Sequence, residues 1–247
     1  MEIYEQIARI RFDNSPLNLI NKEFLEKMEK KLEVLFSEDV RAAVLTGKDD
    51  SFIAGADIKE MKKMDPEEAR YFSSKGQRVF DRLRNAPFPV IGAINGHAIG
   101  GGLELALRCD FLIASDEAFF ALPEVELGLI PGLGGTYDLA EAVGYARAKE
   151  LIFTGKRIDA DSAEEWGLVN RVVPDEDLME ETRSTARRIV DKSPTAVKKA
   201  KLTMALDLER QREKALRVES DRFGECFKEE DSSEGMEAFL ENREPDF

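Results

Sequence analysis

Apolar and polar residues alternate along residues 3–12, with Ile3, Glu5, Ile7 and Arg9 on one side and Tyr4, Ala8, Ile10 and Phe12 on the other. A period of two predicts a half-buried strand, which Pro16 ends. The period then changes. Phe24, Leu25, Met28, Leu32, Leu35 and Phe36 recur at helical spacing over residues 21–36, with Asn21 placed to cap the helix. Residues 40–46, 89–94 and 111–114 are short apolar runs and read as buried strands. Between them, residues 66–85 carry a helical pattern, and glycines at 96, 100, 101 and 102 open a helix through 103–107. Strands alternating with helices predict an α/β fold.

After Gly132 the pattern shifts. Residues 135–153, 160–166, 175–192, 194–228 and 232–243 read as helical, and only 168–173 as extended. The expected organisation is an α/β core over residues 1–190 that holds the active site, followed by a helical region over 191–247. That region carries apolar stripes, Val218, Phe223 and Phe227, then Met236, Phe239 and Leu240. Such stripes must cover either the chain's own core or a neighbouring subunit.

Composition narrows the function. The 247 residues are 43% hydrophobic, enough to fill a sizeable core. With 36 Lys and Arg against 50 Asp and Glu, the net charge is −14. Phosphate repels such a chain, which argues against nucleic acid as a partner. An anionic substrate has to find a local cationic patch. Cys109 and Cys226 have neither metal-site spacing nor a disulfide framework, which fits a reduced, cytoplasmic setting. The start MEIYEQIARI lacks the basic and apolar regions of a signal peptide. No apolar stretch approaches the ~20 residues of a membrane helix, so no membrane partner is expected. One histidine, His97, is present. Serine and cysteine hydrolases need a histidine base, and zinc sites need several ligands. Acid/base chemistry therefore falls to carboxylates, and His97 itself reads as well as a structural residue.

Three segments could carry that chemistry. Ser51-Phe52-Ile53-Ala54-Gly55-Ala56-Asp57-Ile58-Lys59 is a small-residue loop that allows close approach to its backbone, or a plain connection capped by Asp57. Asn95-Gly96-His97-Ala98-Ile99-Gly100-Gly101-Gly102-Leu103-Glu104 follows a strand and opens a helix, where backbone N–H groups favour negative charge. Its glycine spacing fits neither a dinucleotide fingerprint nor a P-loop. Glu104 lies one turn beyond Gly101. Leu122-Pro123-Glu124-Val125-Glu126-Leu127-Gly128 continues irregularly through Pro131, Gly132 and Gly135 in apolar surroundings. A carboxylate there is desolvated and can act as an acid near neutral pH. Spacing does not separate Glu124 from Glu126.

Together these segments resemble the crotonase superfamily, and within it the enoyl-CoA hydratases. The resemblance is most specific in Ala54-Gly55-Ala56-Asp57-Ile58-Lys59-Glu60-Met61, Gly100-Gly101-Gly102-Leu103-Glu104-Leu105-Ala106 and the run from Pro123-Glu124 to Gly135. Glu234-Gly235-Met236-Glu237-Ala238-Phe239-Leu240 also looks like the family's C-terminal segment. The resemblance implies a spiral of ββα turns with a C-terminal helical trimerisation region, assembled as a homotrimer or a dimer of trimers. It implies an oxyanion hole from the backbone N–H groups of Ala56 and Gly101. Ala54, Asp57 and Ile58 line the adenine and pantetheine path, with Lys59 beside it. Glu104 and Glu124 share the catalytic water, which the backbone near Gly132 helps to hold. No cofactor is implied, since coenzyme A is part of the acyl-CoA substrate. Asn242, followed by Arg243, stands where the family often has a basic residue near the coenzyme phosphates.

The implied reaction is addition of water to a 2-trans-enoyl-CoA to give the 3-hydroxyacyl-CoA, as in fatty-acid β-oxidation. Glu104 is assigned as base and Glu124 as proton donor. Superfamily members with other reactions often lack one of these glutamates, and this chain has both. The alternatives are a Δ3-Δ2 enoyl-CoA isomerase using one glutamate, another crotonase-type acyl-CoA reaction, an RNA-binding member and a purely structural subunit. Arg183, Arg187, Arg188, Lys192, Lys198, Lys199 and Lys201 are spread among acidic neighbours, which reads as a solvated face.

Overall fold

The computed structural model describes residues 1–14, 17–205 and 209–247. Pro16 and residues 206–208 lie outside the described residues. The first expectation is corrected at once. Residues 3–12 are a hairpin rather than one strand: β1 (Glu2–Tyr4) turns through Glu5 and Gln6 into β2 (Ile7–Arg11). Both turn residues are left-handed, at φ 49° and 63°, the backbone that a two-residue hairpin needs. Alternation runs through such a turn unbroken, so the pattern alone hides it. Tyr4 pairs with Ile7 and is exposed, while Ala8, Ile10 and Phe12 are buried as expected.

Helix α1 (Lys22–Ser37) starts where predicted, with the Phe24 N–H donating to the Asn21 side chain. Three apolar runs become β3 (Ala42–Thr46), β5 (Val90–Ile94) and β7 (Phe111–Ser115). After each comes a strand of three residues: β4 (Ser51–Ile53), β6 (His97–Ile99) and β8 (Phe119–Ala121). These were not expected, because three residues are too few to show a period.

A short α2 (Ile58–Met61) and α3 (Pro66–Arg84) follow β4. Helix α4 (Gly101–Ala106) follows β6. A 3-10 turn at Glu124–Leu127 and α5 (Gly135–Val143) follow β8. The repeating order is strand, strand, helix, which gives the predicted spiral of ββα turns.

Gly144, at φ 81°, then breaks the predicted helix over 135–153, and α6 (Tyr145–Thr154) follows it. β9 (Ile158–Asp159), α7 (Ala160–Glu165) and β10 (Arg171–Val173) complete the α/β part. The strands make two sheets, β1-β2-β3-β5-β7-β10 and β4-β6-β8-β9. All pairings are parallel except β1 with β2 and β8 with β9. A parallel sheet needs cover on both faces. Ala42, Val44, Ile91, Ala93 and Ile113 pack under Leu178 and Ala186 of α8 (Leu178–Val190). The alternate residues Ala43, Leu45, Val90 and Ile94 face the main core.

The tail continues as α9 (Pro194–Ala205), α10 (Glu209–Cys226) and α11 (Glu230–Glu241). Its stripes divide. Phe223 and Met236 are buried in the chain's own core, while Val218 and Phe239 are exposed. Helix α11 lies so close to the 3-10 turn that a Cβ on Gly235 would sit 2.5 Å from the Leu127 carbonyl carbon. Among the described residues, no helix is long and apolar enough to cross a membrane.

Candidate active site

The site begins where β6 turns into α4. Gly100 has φ 54°, and a Cβ there would come within 3.1 Å of Glu124 Oε1. A Cβ on Gly102 would sit 2.1 Å from the Ile53 carbonyl oxygen, so only glycine lets α4 press against β4. Gly101 is the first residue of α4, and its N–H has no acceptor within the helix. Across the cleft, Ile20 bridges to Ala56 through its neighbours: the Ile20 N–H donates to the Gly55 carbonyl and the Asp57 N–H to the Ile20 carbonyl. The Ala56 N–H is left outside that ladder.

Glu104 follows one turn after Gly101 and is 2% exposed. The N–H groups of Leu133 and Gly135 donate to its Oε1 at 2.6 and 2.8 Å. Burial raises its carboxyl well above the ordinary range; the charges of Glu124 and Glu219 add to this, and the two amides oppose it. Glu124 sits at the start of the 3-10 turn, with Oε2 shielded and without a hydrogen-bond partner. Burial pushes it up to about 8; its own backbone N–H opposes this, and the charge of Glu219 adds to it. The two glutamates of this turn differ in exposure, and Glu124 is the half-buried one. Glu126 is exposed and lies against Gly155.

Stability should register this proton. The unfolded chain releases it near 4.5, while the folded protein keeps it to about 8. Between those values the unfolded state binds fewer protons, so stability falls as pH rises. Thermal melts of Glu124→Gln should therefore lose less stability between pH 5 and 8 than wild type. An equal loss in both proteins would show that Glu124 is not the group holding the proton.

One cavity of about 780 Å³ brings the nine expected residues together: Ala54, Ala56, Asp57, Ile58, Lys59, Gly101, Glu104, Glu124 and Gly132 all line it. Asp57 also caps α2, accepting from the Glu60 N–H at 3.2 Å. Leu17 and Leu19 line one wall, and Phe223, Phe239 and Leu240 of the tail line another. Lys59, Lys156 and Arg157 bring basic side chains to the cavity lining, Lys156 paired with Glu150. Lys156 and Arg157 carried no motif and were missed.

His97 is half-buried beside the Phe119 ring, outside the cavity lining. Asn242 ends α11 in the left-handed region, and Arg243 pairs with Glu234 and Glu241 of its own chain. Among the described residues, no cluster of His, Cys, Asp and Glu is arranged to hold a metal.

The profile described as Enoyl-CoA hydratase/isomerase matches residues 2–247. The chain belongs to the enoyl-CoA hydratase/isomerase family. Within this family it is 45% identical to the short-chain-enoyl-CoA hydratase of Clostridium acetobutylicum over 92% of this chain and 88% of that one. It is 41% identical to the crotonyl-CoA hydratase of Syntrophomonas wolfei over 100% of this chain and 96% of that one. Among solved structures, the enoyl-CoA hydratase of Bacillus anthracis superposes with a TM-score of 0.78 at 38% identity, covering 98% of this chain and 95% of that one. The enoyl-CoA hydratase/isomerase of Pseudoalteromonas atlantica superposes with a TM-score of 0.89 at 28% identity, covering 100% and 98%. The crotonase-superfamily resemblance read from the sequence therefore holds, and the chain is an enzyme of the hydratase type within that family.

Proposed function

We propose that this enzyme reversibly adds water to a 2-trans-enoyl-CoA, giving the 3-hydroxyacyl-CoA, the type of reaction used in fatty-acid β-oxidation. The observation that carries this reading is the pair of carboxylates on either side of the Gly100–Gly101 turn, Glu104 buried and Glu124 half-buried with its Oε2 shielded. Water attacks C3, and negative charge grows on the thioester oxygen as an enolate. The N–H groups of Ala56 and Gly101 take that charge; losing one such donor typically costs ~100–1000-fold in rate.

Glu104, its Oε1 already tied to two amides, takes the proton from water. Glu124, protonated up to about pH 8, delivers one to C2. Because the two titrate together, the proton belongs to the pair. The backbone at Gly132 borders the water. Ala54, Asp57, Ile58 and Lys59 form the path for the coenzyme, which enters as part of the substrate.

The test is loss of the conjugated ultraviolet band when the protein meets 2-enoyl-CoA thioesters of increasing length. Robust hydration is expected. A protein that instead shifts 3-enoyl substrates and barely hydrates 2-enoyl ones is the isomerase.

The division of labour proposed for the chain is a core over residues 1–190 and a region over 191–247 that covers the site and joins subunits. Exposed Val218 and Phe239 support the second role. Light scattering should return three or six times the 27.8 kDa chain mass. A stable, fully active monomer would overturn the proposed assembly.

A further inference from the structure

Behind the glutamate pair lies a further carboxylate, fully buried, which the reaction above does not use. Glu219 of α10 is 3% exposed. Four donors meet it: the Gly134 N–H at 2.5 Å, the Thr136 N–H at 2.9 Å, the Thr136 hydroxyl, and Gln77 Nε2 at 3.2 Å. The three N–H groups can only donate, which suits an acceptor-only, ionised carboxylate.

The pattern along the turn is the informative part. The amides of residues 133 and 135 donate to Glu104, and the amides of 134 and 136 donate to Glu219. One stretch of backbone is thus shared, residue by residue, between a carboxylate of α4 and a carboxylate of the C-terminal region. The same stretch is held at Gly132, whose carbonyl accepts from Ser73 Oγ at 2.5 Å and Gln77 Nε2 at 3.1 Å. It is also held at Leu133, whose carbonyl accepts from Arg108 Nη2 at 2.5 Å.

We propose that Glu219 is a positioning residue of the active site: it clamps alternate amides of the turn that orients Glu104, and its negative charge holds in place the proton shared by Glu104 and Glu124. The proposal rests on the hydratase reading for its second half. The charge has other neighbours. Burial raises the Glu219 carboxyl above its ordinary range; the Thr136 hydroxyl and amide, Arg108 just after α4 and the Gly134 amide oppose this and favour its ionised form. Asp81 of α3, Asp138 of α5 and Arg212 of α10 surround Arg108, and Arg84 of α3 pairs with Asp138. On the cavity side, Glu104 and Glu124 both feel the Glu219 charge in the direction that keeps a proton on them.

Glu219→Gln removes the charge and turns an NH2 group toward amide donors. Its turnover number should fall ~100-fold, the loss that a shift of about 1 Å can cause, with KM within about threefold. The high-pH limb of its turnover profile should move to lower pH, since the pair gives up its proton more readily. Glu219→Asp keeps the charge but withdraws it by one methylene, so turnover should fall while the limb stays in place. Amide exchange of residues 132–137, read by mass spectrometry, should quicken in both variants without any use of turnover.

Wild-type turnover in folded Glu219→Gln, or an unmoved limb whatever the loss, overturns the proposal. If Glu219→Gln does not fold, Glu219→Asp decides: unchanged turnover and exchange overturn it, and the expected fall supports it. A wild-type protein that hydrates no enoyl thioester overturns the hydratase reading instead, and the exchange measurement then decides the clamp alone.

Discussion

Changing Glu104 to glutamine should lower the turnover number for hydration of a 2-enoyl-CoA by ~100–10000-fold, the usual contribution of a placed general base or acid. The same range is expected for Glu124→Gln. Both substitutions suit the site. At 104 the glutamine oxygen can still accept from the Leu133 and Gly135 amides, so the turn stays anchored. At 124 the shielded Oε2 has no partner to lose. What changes is proton transfer, since neither amide takes a proton from water or gives one to C2. The double variant should be far better than the product of the two losses, because both groups act on one water. Exposed Glu126→Gln should change little. An isomerase would suffer severely from only one of the two changes. Robust hydration that is indifferent to either substitution would remove the two-carboxylate mechanism.

The parts of this site that could be read from the sequence are those written in backbone shape. Gly100 has a positive φ, a Cβ on Gly101 would press on the Ile20 side chain, one on Gly102 would strike the Ile53 carbonyl, and three glycines before a helix are conspicuous in a sequence. Long helices and fully apolar strands were legible for the same reason: each repeats long enough to show a period. Strands β4, β6 and β8 were not, since three residues show none. The tail was legible as helix, and its stripe divides, with Val218 exposed and Phe223 buried. The buried face of α10 runs through Arg212, Leu216, Glu219, Ser220 and Phe223, a mixture of charge and apolar groups that no hydropathy pattern picks out. Glu219 and Arg108 were invisible for a related reason. Their partners come from α3, α5 and the turn after Pro131, and only the folded chain brings those together.

That buried charge cluster sets the largest expected effect on stability. Asp138 of α5 is 4% exposed and meets three guanidinium groups. Arg212 donates to it through Nε at 2.7 Å and Nη2 at 3.2 Å, Arg84 lies 3.5 Å away, and Arg108 pairs with it directly. Arg108 is fully buried. Burial, and then repulsion from Arg212, push it down to about 9, so it still carries its charge at neutral pH. Asp138→Asn leaves that charge facing an amide, with the more exposed Asp81 opposite it at 3.4 Å and the Glu219 carboxylate beyond. Breaking a buried pair in this way typically costs ~3–5 kcal/mol, because one charge stays buried without compensation. Chemical denaturation should show a loss of that order. Replacing both partners, Asp138→Leu with Arg108→Met, should recover part of it, since an apolar pair of similar volume often serves as well. Recovery should be incomplete, first because Arg212 and Arg84 still lose the Asp138 carboxylate. The Leu133 carbonyl loses the Arg108 donor, and a buried acceptor left unmade costs ~1–3 kcal/mol. Turnover should not recover with stability, because Leu133 is the residue whose N–H holds Glu104. A double variant restored in both stability and turnover would show that Arg108 only balances charge and plays no part in placing the turn.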